Sequence, residues 1–172
     1  MRIGIRGDLL DFTAAPAWGD VDSPAVRFRP NHWLLIGDEG RIAGAQVEPP
    51  PEGWQRIDHT GRLVLPGFID THIHYPQVRV LGGLGMPLLE WLERHTLPEE
   101  AKFGDADYAR AVAREFLAGM ASHGTTTALV FGSHFAGAMD EFFAQAAHSG
   151  LRIVAGQVLA DRMLRAELHT TP

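Results

Sequence analysis

The chain contains no cysteine among its 172 residues. This absence excludes a disulfide framework, a thiolate metal site and a cysteine nucleophile. Basic residues are also few, because 15 Lys and Arg stand against 21 Asp and Glu and the formal net charge is −6. An acidic chain of this kind is a poor partner for nucleic acid or for an anionic membrane, so we expect neither.

Long apolar runs are missing as well. No stretch reaches the roughly 20 apolar residues that a membrane span requires. The first ten residues, MRIGIRGDLL, have neither a sustained apolar core nor a small-residue cleavage site, so we interpret them as a mature N-terminus and not as a signal peptide. With 45% hydrophobic and 21% charged residues, the composition is that of an ordinary globular protein, and we expect a cytoplasmic location.

The first part of the chain, residues 1–64, is predicted to be a small β domain, part of a composite β-sandwich. The segment IRGDLLDFT indicates a strand with a Gly-Asp turn, and HWLLIGDEGRIAGAQV indicates a β-hairpin that turns through Asp38, Glu39 and Gly40. The segment EPPPEGW cannot hold a regular element, because three consecutive prolines remove three backbone donors. The alternative is a short N-terminal extension.

The second part, residues 65–172, alternates between apolar strands and helices. Asp105 is a predicted N-cap for the helix that follows it, and Gly124 and Gly150 are predicted to end the two longer helices. Near-continuous apolar strands separated by helices predict a parallel α/β sheet. The predicted elements, in chain order, are RLVLPGFIDTHIH, PLLEWLERH, ADYARAVAREFLAGMASHG, TTTALVF, HFAGAMDEFFAQAAHSG and LRIVAGQVL.

A pair of histidines, His72 and His74, ends the first of these strands. Side chains alternate along a strand, so both imidazoles, together with Asp70, are expected on one face. The C-terminal ends of the strands form the catalytic face of a (β/α)₈ barrel, and two neutral imidazoles at such a mouth suit a divalent metal. Nitrogen and oxygen ligands without sulfur favour Zn²⁺ or Fe²⁺. The alternative is an ordinary histidine pair, since His-x-His alone is a weak motif.

Of the other histidines, His134 is the one further candidate, because it follows the second predicted strand. His123 and His148 precede helix-stopping glycines, where a partial positive charge suits the helix C-terminus. No functional role is predicted for the remaining four, which are His32, His59, His95 and His169.

The motif PGFIDTHIHYPQ resembles the metal-binding motif of the amidohydrolase superfamily, and PLLEWLERHTLPEE and HGTTTALVF are similar to the guanine deaminase family. The resemblance implies that His72 and His74 are two ligands of a single metal, usually zinc. It also implies that Gln77 contacts a purine substrate. The side-chain amide of Gln77 can both donate and accept hydrogen bonds, which fits the edge of a purine. Leu88 and Trp91 are expected either in the pocket or in the core.

This resemblance further implies hydrolysis of guanine to xanthine and ammonia by metal-activated hydroxide. The implied partner is a small-molecule purine, and the complete enzyme is compatible with a homodimer. A (β/α)₈ barrel needs about 250 residues, and residues 65–172 supply only the first three βα units of an incomplete barrel. The catalytic glutamate and the late aspartate are expected beyond Pro172, so no catalytic residue is predicted within this span.

We therefore expect an N-terminal fragment that is inactive alone. Two other interpretations remain open. One is a different metal-dependent amidohydrolase or deaminase that acts on a ring amidine, and the other is a non-catalytic fragment with at most weak metal binding. A zinc deaminase of the cytidine type is excluded, because it requires cysteine ligands and a His-x-Glu motif.

Overall fold

The computed structural model describes residues 1–20, 22–83, 85–162 and 164–170. The chain forms two compact units, Met1–Pro66 and Gly67–Pro172. The sequence predicts a division after Val64, and the first unit of the structure ends at Pro66. None of the helices in the described ranges has the length and apolar character needed to cross a membrane.

The first unit is a four-stranded sheet with the strand order β3-β2-β1-β4. Strand β1 is antiparallel to β2 and parallel to β4, and β2 is antiparallel to β3. The predicted hairpin between β2 and β3 is therefore confirmed. The second layer of the predicted sandwich stays a prediction, because the described residues of this unit form one sheet. The strands are β1 (Ile3–Phe12), β2 (Val26–Ile36), β3 (Ile42–Gln46) and β4 (Gln55–Val64).

The predicted Gly-Asp turn inside the first strand is wrong. Strand β1 continues through Gly7 and Asp8, with a register shift against both of its neighbours at this point. A side chain at Gly7 would meet Val64 Cγ2 at 2.8 Å and the carbonyl oxygen of Arg62 at 3.0 Å. The glycine therefore serves the close approach of β4 to β1 at a bulge, a common use of glycine within a strand.

The second unit contains a three-stranded parallel sheet in the order β5-β6-β7. This arrangement confirms the predicted parallel α/β character. Its strands are β5 (Phe68–His74), β6 (Thr125–Phe131) and β7 (Arg152–Gly156). Its helices are α1 (Leu88–Trp91), α2 (Leu97–Ala101), α3 (Ala106–Ser122) and α4 (Ala136–Ser149). Short 3₁₀ turns cover Tyr75–Val80, Lys102–Gly104 and Ala166–Leu168.

The run RLVLPGFIDTHIH is not one strand, as the sequence predicts, but parts of two strands in different sheets. Strand β4 ends at Val64 and β5 begins at Phe68. Pro66 and Gly67 separate them, because proline lacks a backbone donor and glycine allows a sharp change of direction. A side chain at Gly67 would also collide with the side chain of Thr126, so this position must remain small.

The ends of the two long helices agree with the prediction. The Asp105 carboxylate accepts hydrogen bonds from the backbone N–H groups of Asp107 (2.9 Å) and Tyr108 (3.3 Å), which satisfies donors that a helix N-terminus leaves free. Gly124 (φ +83°) follows α3 and Gly150 (φ +73°) ends α4, both in the left-handed conformation that glycine adopts readily.

Helices α3 and α4 cover one face of the parallel sheet. Their buried side chains form one core with Ala128 and Val130 of β6. The alternate side chains on the strands, such as Leu129, Phe131 and Val154, are exposed. One face of the sheet is therefore packed, and the other presents apolar side chains together with the histidine pair.

Candidate active site

His72 and His74 lie at the carboxyl end of β5, as predicted. Their ring centroids are 5.4 Å apart, and each is 4.6 Å from the ring centroid of Phe131. Phe131 pairs with His74 in the register between β5 and β6. Because both imidazoles contact the same phenylalanine, they lie on the same face of the sheet.

Asp70 has a local structural role at this strand end. Its carboxylate accepts a hydrogen bond of 2.9 Å from the backbone N–H of His72. The register between β5 and β6 is irregular between Asp70 and Ile73. The side chain therefore replaces a backbone partner where the ladder is interrupted, and it holds the backbone that carries the two histidines.

Burial lowers the pKa of His74, and the neighbouring His72 lowers it further, while the negative charge of Glu100 opposes the shift. Loss of solvation disfavours the charged imidazolium, so the neutral ring is favoured in the folded chain. Neutral imidazole is the form that ligates metals. The surroundings of His74 therefore favour the neutral form that a metal ligand requires.

The histidine pair fits part of a metal site. The described hydrogen bonds include none to the ring nitrogens of His72 or His74, so these lone pairs are available for ligation. Within the described ranges, no group of three or more His, Asp or Glu side chains could hold a metal ion. Two imidazoles on one wall supply half of a tetrahedral shell, and the chemistry of these donors suits Zn²⁺ or Fe²⁺.

Gln77 lies in the 3₁₀ turn that follows β5 and lines a cavity of about 570 Å³. Its side-chain Nε2 donates a hydrogen bond of 3.0 Å to Glu100 Oε1. The cavity has the size of typical small-molecule sites, roughly 300–1,000 Å³. Its polar lining residues are His74, Gln77, Glu93, Thr96, Glu100, His134 and Arg165, and its apolar ones are Leu89, Leu92, Leu97, Val158, Ala160 and Leu164.

His134 is buried in the wall of this cavity, after the second strand of the parallel sheet, where the sequence predicts a further candidate. Its Nε2 is 3.2 Å from Glu100 Oε2. A carboxylate can only accept hydrogen bonds, so this contact favours the tautomer that carries its proton on Nε2. The other ring nitrogen, Nδ1, is buried without a hydrogen-bond partner in the described part of the chain.

The helical segment that supplies one wall differs in detail from the prediction. Helices α1 and α2 are joined by a π-helical turn, Leu92–Thr96, so the segment is continuous from Leu88 to Ala101. Leu89 and Leu92 line the cavity, whereas Leu88 and Trp91 do not. Leu88 is 66% exposed and belongs neither to this lining nor to the core. Its exposure corrects the prediction of a pocket or core role.

Glu100 and Thr96 are the residues that sequence reasoning missed. Both are buried, and the Thr96 hydroxyl has no hydrogen-bond partner in the described ranges. Two adjacent glutamates in a helical turn normally indicate a solvated face, so the sequence LPEE carries no local sign that Glu100 faces inward. His123 and His148 lie outside the site, each with Nδ1 2.8 Å from a helix carbonyl oxygen four residues earlier.

Residues 63–171 match the model of the amidohydrolase family. The chain therefore belongs to the amidohydrolase family. Members of this family generally depend on a metal, which agrees with the donor chemistry of the histidine pair.

Individual relatives narrow the resemblance to guanine deaminases. The chain is 66% identical over 147 residues to the probable guanine deaminase of Deinococcus radiodurans, covering 81% of the chain and 34% of the relative. It is 37% identical over 166 residues to the guanine deaminase of Escherichia coli K12, covering 92% of the chain and 37% of the relative. The chain thus spans about a third of the length of these curated relatives. The predicted resemblance to guanine deaminases is confirmed, for this part of their length.

Solved structures give the same result. The E. coli guanine deaminase structure superposes with a TM-score of 0.87 at 35% identity, over 99% of this chain and 40% of that chain. A guanine deaminase from C. acetobutylicum, with guanine bound in its active site, superposes with a TM-score of 0.81 at 26% identity. The superposition covers 99% of this chain and 39% of that chain. The mixed α/β fold of this chain is therefore that of the corresponding part of guanine deaminases.

Proposed function

We propose that the chain provides part of the metal site and part of the purine pocket of a guanine deaminase, which hydrolyses guanine to xanthine and ammonia. One observation carries the proposal: a single cavity is lined both by His74, a predicted metal ligand, and by Gln77, the predicted substrate contact. The 66% identity to a probable guanine deaminase supports the choice of substrate. The bound guanine in the C. acetobutylicum structure supports it too.

The proposed architecture is the first three βα units of a (β/α)₈ barrel preceded by part of a β-sandwich. The parallel order β5-β6-β7 supports the barrel. His72 and His74 lie at the strand ends that form the catalytic face of such a barrel. In this proposal the chain acts with further strands, and the two-thirds of the relatives that it does not match would supply them.

Within this site, His72 and His74 would hold a zinc ion, with Fe²⁺ as the alternative. When bound, the metal would supply a nucleophile near neutral pH by lowering the pKa of water. Gln77 would hold the purine through its side-chain amide. The apolar side chains of Leu89, Leu92 and Leu97 would exclude bulk water from the ring, which strengthens the polar contacts around it.

Proton transfer to the leaving amine is assigned to a glutamate outside this span, and two further histidines and an aspartate outside it would complete the metal ligands. The chain's own polar groups in the cavity would then bind and orient the substrate. A different amidohydrolase that acts on a ring amidine is the alternative enzyme. A non-catalytic fragment with weak metal binding is the alternative outside enzymes.

The test is a chimaera in which residues 1–172 replace the matched third of the D. radiodurans relative. Xanthine formation from guanine and metal content by elemental analysis are measured in the chimaera and in the unmodified relative. We expect turnover within about tenfold of the relative, since buried contacts across the junction are only partly preserved at this identity. A well-folded, metal-loaded chimaera that deaminates another ring amidine but not guanine would contradict the proposal.

A further inference from the structure

Glu100 is a buried carboxylate whose described polar partners are Gln77 and His134, with no lysine or arginine among them. Its side chain is 8% exposed. Oε1 accepts the hydrogen bond from Gln77 Nε2 at 3.0 Å, and Oε2 is 3.2 Å from His134 Nε2. An ionised carboxylate only accepts hydrogen bonds, so both partners must present a donor to it. One carboxylate therefore determines the orientation of two side chains in the cavity wall.

The fixed orientation matters most for Gln77, because a glutamine amide has an N–H donor end and a carbonyl acceptor end. With one N–H of Nε2 donated to Glu100, the position of the carbonyl oxygen Oε1 is fixed, and this oxygen is left as an acceptor for another partner. The described hydrogen bonds include no donor to this oxygen. A free amide in a cavity can rotate and exchange the places of its donor and acceptor ends, whereas an amide held by Glu100 keeps its acceptor oxygen in one defined place.

We propose that Glu100 is a positioning residue for substrate recognition: it fixes the Gln77 amide so that its oxygen accepts a hydrogen bond from an N–H group of the purine. This inference rests on the proposed function and deepens it. A 6-oxopurine such as guanine carries N–H donors on its ring, so the fixed oxygen selects rings with a donor at that position. Glu100 acts through Gln77 and does not itself touch the reacting atoms.

The geometry of the helix places the Glu100 carboxylate at the cavity. Glu99 and Glu100 are consecutive and both buried, but Glu99 contacts Lys102 at 2.6 Å and accepts from Tyr108. Successive helical side chains point in different directions, so Glu99 joins a cluster of its own while Glu100 meets Gln77 and His134. The adjacent glutamates thus have separate contacts, and of these two only Glu100 lines the cavity.

A double-mutant cycle in the chimaera tests the inference, with four proteins: unmodified, Glu100→Gln, Gln77→Ala and the double variant. Glutamine at position 100 can donate as well as accept, so it no longer enforces one orientation of Gln77. We expect Glu100→Gln to raise the KM for guanine about tenfold, the effect of one hydrogen bond, with kcat changed by less than about twofold. In the Gln77→Ala background the same change should have no further effect.

Glu90→Gln is the matched control. Glu90 lies on the same helical segment, is paired at 2.9 Å with Arg94 outside the cavity lining, and should leave KM unchanged. Equal effects of Glu100→Gln in both backgrounds would overturn the inference, because Glu100 would then act independently of Gln77. Loss of bound metal or of thermal stability with an unchanged KM per folded molecule would also overturn it.

The same proteins separate this inference from the proposed function. If the unmodified chimaera does not turn guanine over, guanine binding by calorimetry replaces KM in the cycle. Binding that depends on Glu100 only when Gln77 is present would support the inference while the proposed deaminase activity fails. Turnover with additive effects would support the activity and reject the inference, and absence of both turnover and binding would reject both.

Discussion

The imidazole of His74 stacks on the ring of Phe131, with an interplanar angle of 12° and 4.6 Å between ring centroids. Phe131 is the register partner of His74 on the neighbouring strand, so the contact links two strand ends of the parallel sheet. His72 packs against the same ring at a steeper angle of 41°. One phenylalanine thus restricts both imidazoles, which reduces the entropy that a bound metal would have to overcome.

This packing predicts that Phe131→Leu weakens zinc binding by the chimaera about three- to tenfold, because an aromatic pair contributes about 0.5–1.5 kcal/mol beyond area burial. Leucine keeps an apolar side chain at the position, so the fold should persist. Competition with a fluorescent zinc chelator measures the affinity. Leu129→Ala, on the same strand and face, is the control, and an equal loss there would show a general effect on the sheet.

Removal of either imidazole should have a much larger effect. In the chimaera we expect His72→Ala and His74→Ala each to abolish guanine turnover and to lower the bound metal sharply, since each removes one of the proposed ligands. Elemental analysis of the purified variants measures the metal. His148→Ala, at the end of α4, should retain full metal. Full metal content in both His72 and His74 variants would refute the ligand assignment.

Substrate recognition by Gln77 is expected to be separable from metal binding. Gln77→Ala should lower kcat/KM for guanine by the equivalent of about 1–3 kcal/mol, because a purine group would lose its hydrogen-bond partner in a buried site. Metal content should remain that of the unmodified chimaera, since Gln77 lies on the turn after the histidines. Steady-state kinetics with guanine and metal analysis of the same sample test this prediction. Unchanged kinetics in Gln77→Ala would exclude a contact between Gln77 and the purine.

The parts of the fold and of this site that the sequence predicts are those that a few neighbouring residues determine. The spacing of His72 and His74 places both on one strand face, and Asp105 caps α3 through its own carboxylate. Both follow from side-chain alternation and from helix-end chemistry, which a few neighbouring residues determine. Similarly, Gly150 ends α4 because its left-handed conformation needs no long-range contact.

The parts that the sequence could not predict depend on tertiary contacts. Glu100 meets Gln77 across 23 residues, and nothing within LPEE distinguishes Glu100 from its neighbour. The π-helical turn Leu92–Thr96 is not predicted, and Leu89 lines the cavity whereas Leu88 does not. The break at Pro66 was present in the sequence as a Pro-Gly pair, a signal outweighed by the apolar run around it.

In the first unit, an arginine pair holds the Asp11 carboxylate. Arg27 Nε is 2.7 Å from Oδ1 and an Arg29 nitrogen is 2.6 Å from Oδ2. The hydrogen bonds from Arg27 lower the pKa of Asp11, with a further contribution from the charge of Arg29. The ionised carboxylate is therefore favoured in the folded state. Its contribution to stability is present above the ordinary Asp pKa and is lost as the pH falls through the lowered folded value.

We accordingly expect Asp11→Asn to lower the urea midpoint of this unit at pH 7, and the difference from the unmodified chain should shrink below about pH 4. Tryptophan fluorescence reports on the unit, because Trp18, Trp33 and Trp54 lie within it. Asp20→Asn, at an exposed position of the same unit, is the control. A difference that stays constant from pH 7 to pH 3 would show that the ion pairs are not its source.

The 172-residue chain by itself is expected to have no deaminase activity. Its described residues bring together two of the proposed ligands and no group of three or more that could hold a metal ion. The apolar side chains of Leu129, Phe131 and Val154 are exposed on the sheet face that carries the histidines, so association between chains is expected. The purified chain is mixed with zinc and assayed for xanthine, while light scattering measures its association and the chimaera serves as the positive control. Turnover by the chain close to that of the chimaera would contradict this expectation, and the metal would then have to be held with the help of another histidine, for which His134 is the first candidate to replace by alanine.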